Sequence, residues 1–184
     1  MTCQPYRDFT AQGMNVHVLM WMLSQIEKGP DSALRVMPVV VFMAFAVEAY
    51  LNNTGAKLIS YWDDLERLPW RKKVNILHEV AGKKPDWGSS NLQFATTLFS
   101  LRDKLAHGKP ERILGPVFDS AEEAREYSLR GRFQPAWFTT LNRAWALKAQ
   151  VQFTELMGYL ARINGLHESD HLLISTGGYL DGEQ

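Results

Sequence analysis

Residues 36–47 read Val-Met-Pro-Val-Val-Val-Phe-Met-Ala-Phe-Ala-Val, twelve consecutive apolar side chains closed by Glu48. No other stretch constrains the fold as tightly. The run exceeds the roughly four to eight residues of a buried strand and falls short of the roughly 18 that read as a bilayer span. It is therefore expected to be a core helix, buried nearly all round, with no membrane segment in the chain. Asp31 or Ser32 can cap its start, and Asn52-Asn53-Thr54-Gly55 is expected to end it after Leu51. Pro38 removes one backbone bond, so the helix either kinks there or begins a turn later.

A helix this apolar must be enclosed by others, and the remaining chain supplies them. Leu19, Met22, Leu23 and Ile26 make a helical stripe over residues 9–28, stopped by Gly29-Pro30. A short helix fits residues 61–68, and after Pro69 the set Trp70, Val74, Leu77 and Ala81 forms an amphipathic helix closed by Gly82. Phe94, Leu98, Leu101 and Leu105 repeat at helical spacing over residues 91–107, which Gly108 and Pro110 end. Residues 109–119 read as a loop able to touch a ligand, residues 122–130 as a charged helix, and residues 131–135 as a break. A long last helix, capped by Thr139 or Thr140, carries Leu141, Trp145, Leu156, Leu160 and Ile163 and stops at Asn164-Gly165. No segment alternates as a half-buried strand does, and there are no repeats. The expected fold class is all-α, an up-and-down helical bundle with additional short helices. With 184 residues and 46% hydrophobic content it forms one domain over residues 1–184, with a tail from about residue 166.

Twenty basic and twenty acidic side chains leave no net charge, so any nucleic-acid contact must come from a local patch. The single cysteine, Cys3, lies in an N-terminus expected to be loose. It forms no internal disulfide, which fits a reducing cytoplasm. The first residues carry no basic-then-apolar pattern, so no signal peptide is expected.

Chemistry concentrates in Leu101-Arg102-Asp103-Lys104-Leu105-Ala106-His107-Gly108-Lys109-Pro110. An arginine, an acid and a histidine sit together at the C-terminal end of a core helix. At roughly 100° per residue, Asp103 and His107 lie one turn apart on a face opposite the apolar stripe, and Arg102 lies at its border. Arg71 with His78 and Arg162 with His167 have similar spacings, but Lys72 and Ile163 follow those arginines where Asp103 follows Arg102. The arginine–acid–histidine string, with the apolar run ending in Ala46-Val47-Glu48-Ala49-Tyr50-Leu51-Asn52-Asn53, resembles the HEPN superfamily of small all-helical proteins. Many of these are toxins that cut or bind RNA. They carry an arginine, a polar residue beside it, and a histidine roughly four to six residues on. The likeness covers about residues 30–110.

The resemblance implies a homodimer whose two motifs line one cleft, and cofactor-free, metal-independent endoribonuclease activity of a toxin or abortive-infection kind. His107 would move the 2′-hydroxyl or leaving-group proton, Arg102 would hold the phosphate, and Asp103 would orient the ring. Lys104 and Lys109 are supporting cations, an antitoxin or other partner protein is implied, and the cytoplasm is the expected location. The family also includes members that only bind RNA or protein, and His107 reads equally as a residue capping its helix. An acid after twelve apolar residues needs a partner, and family members often place one against the motif arginine. Glu48 is thus expected to meet Arg102 or to emerge into solvent. Asn52 is either a helix cap or a ligand-binding amide.

Two further patterns stand apart. His167-Glu168-Ser169-Asp170-His171 spells the H-E-x-x-H of zinc hydrolases, although Asn164-Gly165 interrupts the helix it needs. A third ligand would have to come from Glu155, Asp181 or Glu183. Arg67, Arg71, Lys72, Lys73, Lys83 and Lys84, with Trp70 among them, can track a nucleic-acid backbone and stack a base, although such runs are more often solvated helix faces.

Overall fold

The computed structural model describes residues 3–130 and 134–181. Among them are seven α-helices and a two-stranded antiparallel ribbon. The helices are α1 (Ala11–Lys28), α2 (Ala33–Leu58), α3 (Trp70–Val80), α4 (Ser90–His107), α5 (Ala121–Leu129), α6 (Ala136–Thr139) and α7 (Arg143–Ile163). The ribbon pairs β1 (Cys3–Phe9) with β2 (Ser175–Asp181). The all-α bundle is the observed architecture.

As the apolar run demands, α2 lies at the centre. Its Val36, Val39, Val40, Met43, Ala44, Ala46, Val47, Tyr50 and Leu51 are fully enclosed by α1, α3, α4 and α7. Burying an aliphatic side chain stabilises by about 1.5–3 kcal/mol. Several such residues flank Pro38, outweighing the roughly 3 kcal/mol that an interior proline costs. The helix runs through Pro38, which lies on the exposed side where the Leu34 carbonyl can face water. The expected stop at Asn52-Asn53-Thr54-Gly55 is wrong, and α2 continues to Leu58. Gly55 serves close approach there: a Cβ would stand 2.2 Å from Cδ2 of the Trp62 indole, so the helix end packs directly onto that ring. Over its full 26 residues α2 is long and apolar enough to cross a bilayer by length and composition, unlike the twelve-residue run alone. Half of its most apolar window is buried inside this fold.

Other boundaries moved for local reasons. Phe9 closes β1, so α1 starts at Ala11. Residues 61–68 hold only a 3₁₀ turn at Trp62–Asp64 and further turns. Thr139 and Thr140 turn their hydroxyls back onto carbonyls of α6, and α7 is capped by Asn142, whose Oδ1 accepts from Trp145 N at 2.9 Å. Ser120 caps α5 by accepting from Glu123 N, three residues on. Residues 131–133 of the expected break lie outside the described residues.

The ribbon corrects the expectation of no strands, and Cys3 lies within it as an exposed thiol. Both strands are exposed in nearly every side chain, so they carry no alternating pattern; backbone pairing alone defines them. Thr10 N donates to Ile174 O at 2.8 Å and ties the ribbon to the start of α1. Gly13 makes room for that junction, since a Cβ there would stand 2.2 Å from Leu173 O.

Candidate functional site

The inner stripe of α4 sets what its outer face can do. Phe94 and Leu98 are buried, Leu101 and Leu105 are half-buried against the core, and Asp103 and His107 are left facing outward. That outer face forms one wall of an open groove of about 950 Å³. The start of α3 supplies Trp70 and Arg71, α4 supplies Asp103, Lys104 and His107, the segment after α4 supplies Lys109 and Glu111, and α6 supplies Trp137. Four of the residues expected at the site, Asp103, Lys104, His107 and Lys109, therefore share one solvent-reachable space.

Arg102 is placed differently. Its side chain is 23% exposed and does not line the groove. The guanidinium lies over the Phe99 ring, 5.3 Å from its centroid, with Nη2 3.8 Å from Glu48 Oε2 and Nε 3.4 Å from Asp103 Oδ1. Glu48 thus meets Arg102 as expected, and takes a second cation as well. Lys73 Nζ stands 3.5 Å from Glu48 Oε1, and the Lys73 side chain is only 1% exposed. The reading of Lys73 as part of a solvated face is corrected: it is a buried ammonium held by a carboxylate at the protein's edge. Asn52 neither caps a helix nor reaches the groove. It lies inside α2 with a buried Oδ1 that makes no hydrogen bond.

Arg71, Trp137 and Glu111 complete the groove. Arg71 Nη2 donates to Thr96 Oγ1 at 2.9 Å, and its guanidinium carbon lies over the Trp87 ring, 4.7 Å from the centroid. Trp70 beside it is stacked on Phe99, with centroids 4.4 Å apart and planes 9° from parallel. Trp137 Nε1 donates to Glu111 Oε2 at 3.2 Å, and Lys104 Nζ lies 4.0 Å from the same oxygen. The basic run around Trp70 hinted at Arg71. Glu111 and Trp137 carry no local signal, because tertiary structure alone brings residues this far apart together.

The H-E-x-x-H residues are not assembled as a metal site. Glu168 accepts from Arg162 Nη1 at 2.6 Å, and His167 Nδ1 lies 2.7 Å from Ser169 Oγ. His171 is buried on a 3₁₀ turn (Asp170–Leu172), where Nδ1 donates to Glu168 O at 2.9 Å. Burial holds the His171 imidazole below its ordinary pKa, against the opposing pull of that hydrogen bond and of Asp170. Among the described residues no three His, Cys, Asp or Glu side chains are gathered to hold a metal ion. Glu183 lies outside the described residues. His78 is likewise a core residue: Nδ1 donates to Val74 O, Nε2 accepts from the Tyr159 hydroxyl, and burial lowers its pKa. Burial, together with the charge of Asp170, pushes the Tyr50 hydroxyl up to about 12.

No protein-family model matches the chain, and comparison with curated proteins and with solved structures gives no significant match. The functional reading rests on the groove and on the motif residues themselves.

Proposed function

We propose that this chain is a HEPN-like protein that binds RNA in the groove at the end of α4 and cleaves it without a metal ion. The observation that carries the reading is the convergence of Asp103, Lys104, His107 and Lys109 on one open space. His107 takes the proton of a 2′-hydroxyl, the 2′-oxygen attacks the adjacent phosphorus, and the 5′-oxygen departs with a proton from a second imidazole. In the homodimer that this reading includes, the second copy's His107 supplies that proton. Asp103, one turn back on α4, pairs with Arg102 Nε at 3.4 Å, and in this reading it orients the ring once RNA is bound. Lys104 and Lys109 offset the charge of the sugar-phosphate chain. The products are a 2′,3′-cyclic phosphate and a 5′-hydroxyl, and DNA, which lacks the nucleophile, is left whole. A toxin or abortive-infection role in the cytoplasm, restrained by an antitoxin or other partner protein, belongs to the same proposal.

The test is incubation of the full chain with varied RNAs and with DNA in excess chelator, followed by analysis of the RNA ends. Cyclic-phosphate ends from RNA alone support the reading. A specific observation favours a second reading, a non-catalytic RNA-binding or protein-interaction module: the motif guanidinium is engaged by Glu48 and Asp103 and stands outside the groove's lining. RNA retained but uncut by clean protein would select that reading.

A further inference from the structure

We propose that Arg71, not the motif arginine, is the guanidinium that grips the phosphate, and that the groove takes single-stranded RNA with a base on the Trp137 indole. This rests on the RNA-binding reading. Among the described residues the groove lining holds one guanidinium, that of Arg71, and no carboxylate lies within ion-pairing distance of it. Three of the other cations nearby are spoken for to different degrees, and Lys109, also in the groove lining, is an ammonium without the planar fork of a guanidinium. Lys73 and Arg102 share Glu48, while Lys104 faces Glu111 at 4.0 Å.

Arg71 is also pre-oriented. The Thr96 hydroxyl accepts one of its N–H bonds and passes its own hydrogen to Leu92 O at 2.8 Å, and the guanidinium carbon lies over the Trp87 ring. The remaining N–H donors are free to meet a phosphate in the two-pronged geometry that a guanidinium offers and an ammonium does not. A cation held without a carboxylate, on an aromatic platform, beside a groove bearing His107, is built to receive an anion.

The aromatic wall selects the form of the nucleic acid. Trp137 lines the groove, with its Nε1 held by Glu111. An unstacked base can lie against an indole whatever its identity, whereas a base inside an A-form duplex keeps its faces covered by its neighbours. With a backbone phosphate on Arg71, the base is left for the indole.

The experiment measures binding of a fluorescently labelled single-stranded 2′-O-methyl RNA oligonucleotide, which lacks the nucleophile of the cleavage step, to the full chain by anisotropy, in excess EDTA and over a series of salt concentrations. The variants are Arg71→Ala, Arg71→Lys, Trp137→Phe and Lys72→Ala, all with circular dichroism matching the parent. Lys72→Ala removes the same charge one residue along α3 but outside the groove lining. Arg71→Ala is expected to weaken binding about ten- to hundredfold and to reduce the slope of log K against log salt by about 0.7. Arg71→Lys should restore the slope without restoring the affinity. Trp137→Phe should retain most of the affinity, and duplex RNA of the same sequence should bind more weakly. Equal losses in Arg71→Ala and Lys72→Ala, with the parent binding well, would overturn the role of Arg71 and leave the RNA-binding reading standing. A duplex that binds as tightly as the single strand would overturn the assignment of substrate form. A parent that binds no RNA would overturn both this inference and the reading beneath it.

Discussion

Replacing Glu48 with Gln strands the Lys73 ammonium, whose side chain is 1% exposed. Losing one partner of a fully buried ion pair costs about 3–5 kcal/mol, and an exposed pair is worth about 0–1 kcal/mol. This pair is mixed, because the Glu48 side chain is 36% exposed and water already screens its carboxylate. An intermediate cost of about 2 kcal/mol follows. For a domain of this size that is a fall of about 4–8 °C in Tm. The cost arises from the unpaired ammonium, so it should shrink when that charge is also removed. Lys73→Met alone is expected to be mild, and Glu48→Gln in the Lys73→Met background should cost at most about 1 kcal/mol, what remains being the half-exposed contact with Arg102. Thermal unfolding followed by circular dichroism on the four proteins of this cycle gives the coupling directly. Equal costs for Glu48→Gln in both backgrounds would refute the reasoning, because Lys73 would then owe nothing to Glu48.

Stability should fall on mild acidification. His78 and His171 are both buried with imidazole pKa values held below the ordinary value. Below about pH 6.5 the unfolded chain therefore binds protons that the folded chain does not, and each histidine removes up to about 1.4 kcal/mol per pH unit until its folded pKa is reached. Urea unfolding at pH 7.5 and 5.5 measures this, and a midpoint unchanged or raised at the lower pH would contradict it. Gly55→Ala should destabilise by about 1–3 kcal/mol, since the added Cβ would stand 2.2 Å from the Trp62 ring and helix and indole cannot both stay in place. A variant with the parent's Tm and Trp fluorescence would show that the contact relaxes at no cost.

Helical spacing made most of the bundle legible, because each apolar stripe turned toward the same core. Where tertiary contacts override local preference the sequence misled. Asn52-Asn53-Thr54-Gly55 reads as a stop, yet the Trp62 ring packed on Gly55 carries α2 onward. The β1–β2 ribbon left no pattern, because a pairing exposed nearly throughout needs no alternation. At the site, the outward face of α4 was readable from the angle between Asp103, His107 and the Phe94–Leu105 stripe, and Glu48 from its place after twelve apolar residues. Lys73 falls on the same stripe as Trp70, Val74 and Leu77, so its spacing implies the buried position that the basic run around it obscures. Trp137 and Glu111 reach the groove only through the path of the chain after α4, which no local pattern encodes.

The central claim is that the imidazole at the end of α4 works on RNA held in the groove beside it. Its most direct measurement is the single-turnover rate of RNA cleavage in excess EDTA for the parent and for His107→Ala, with RNA binding recorded for both. The account expects binding to be retained and the rate to fall by about 10²–10⁴-fold, the contribution of one proton-transfer group. Equal rates in the two proteins, or RNA bound by the parent and never cut, would contradict it.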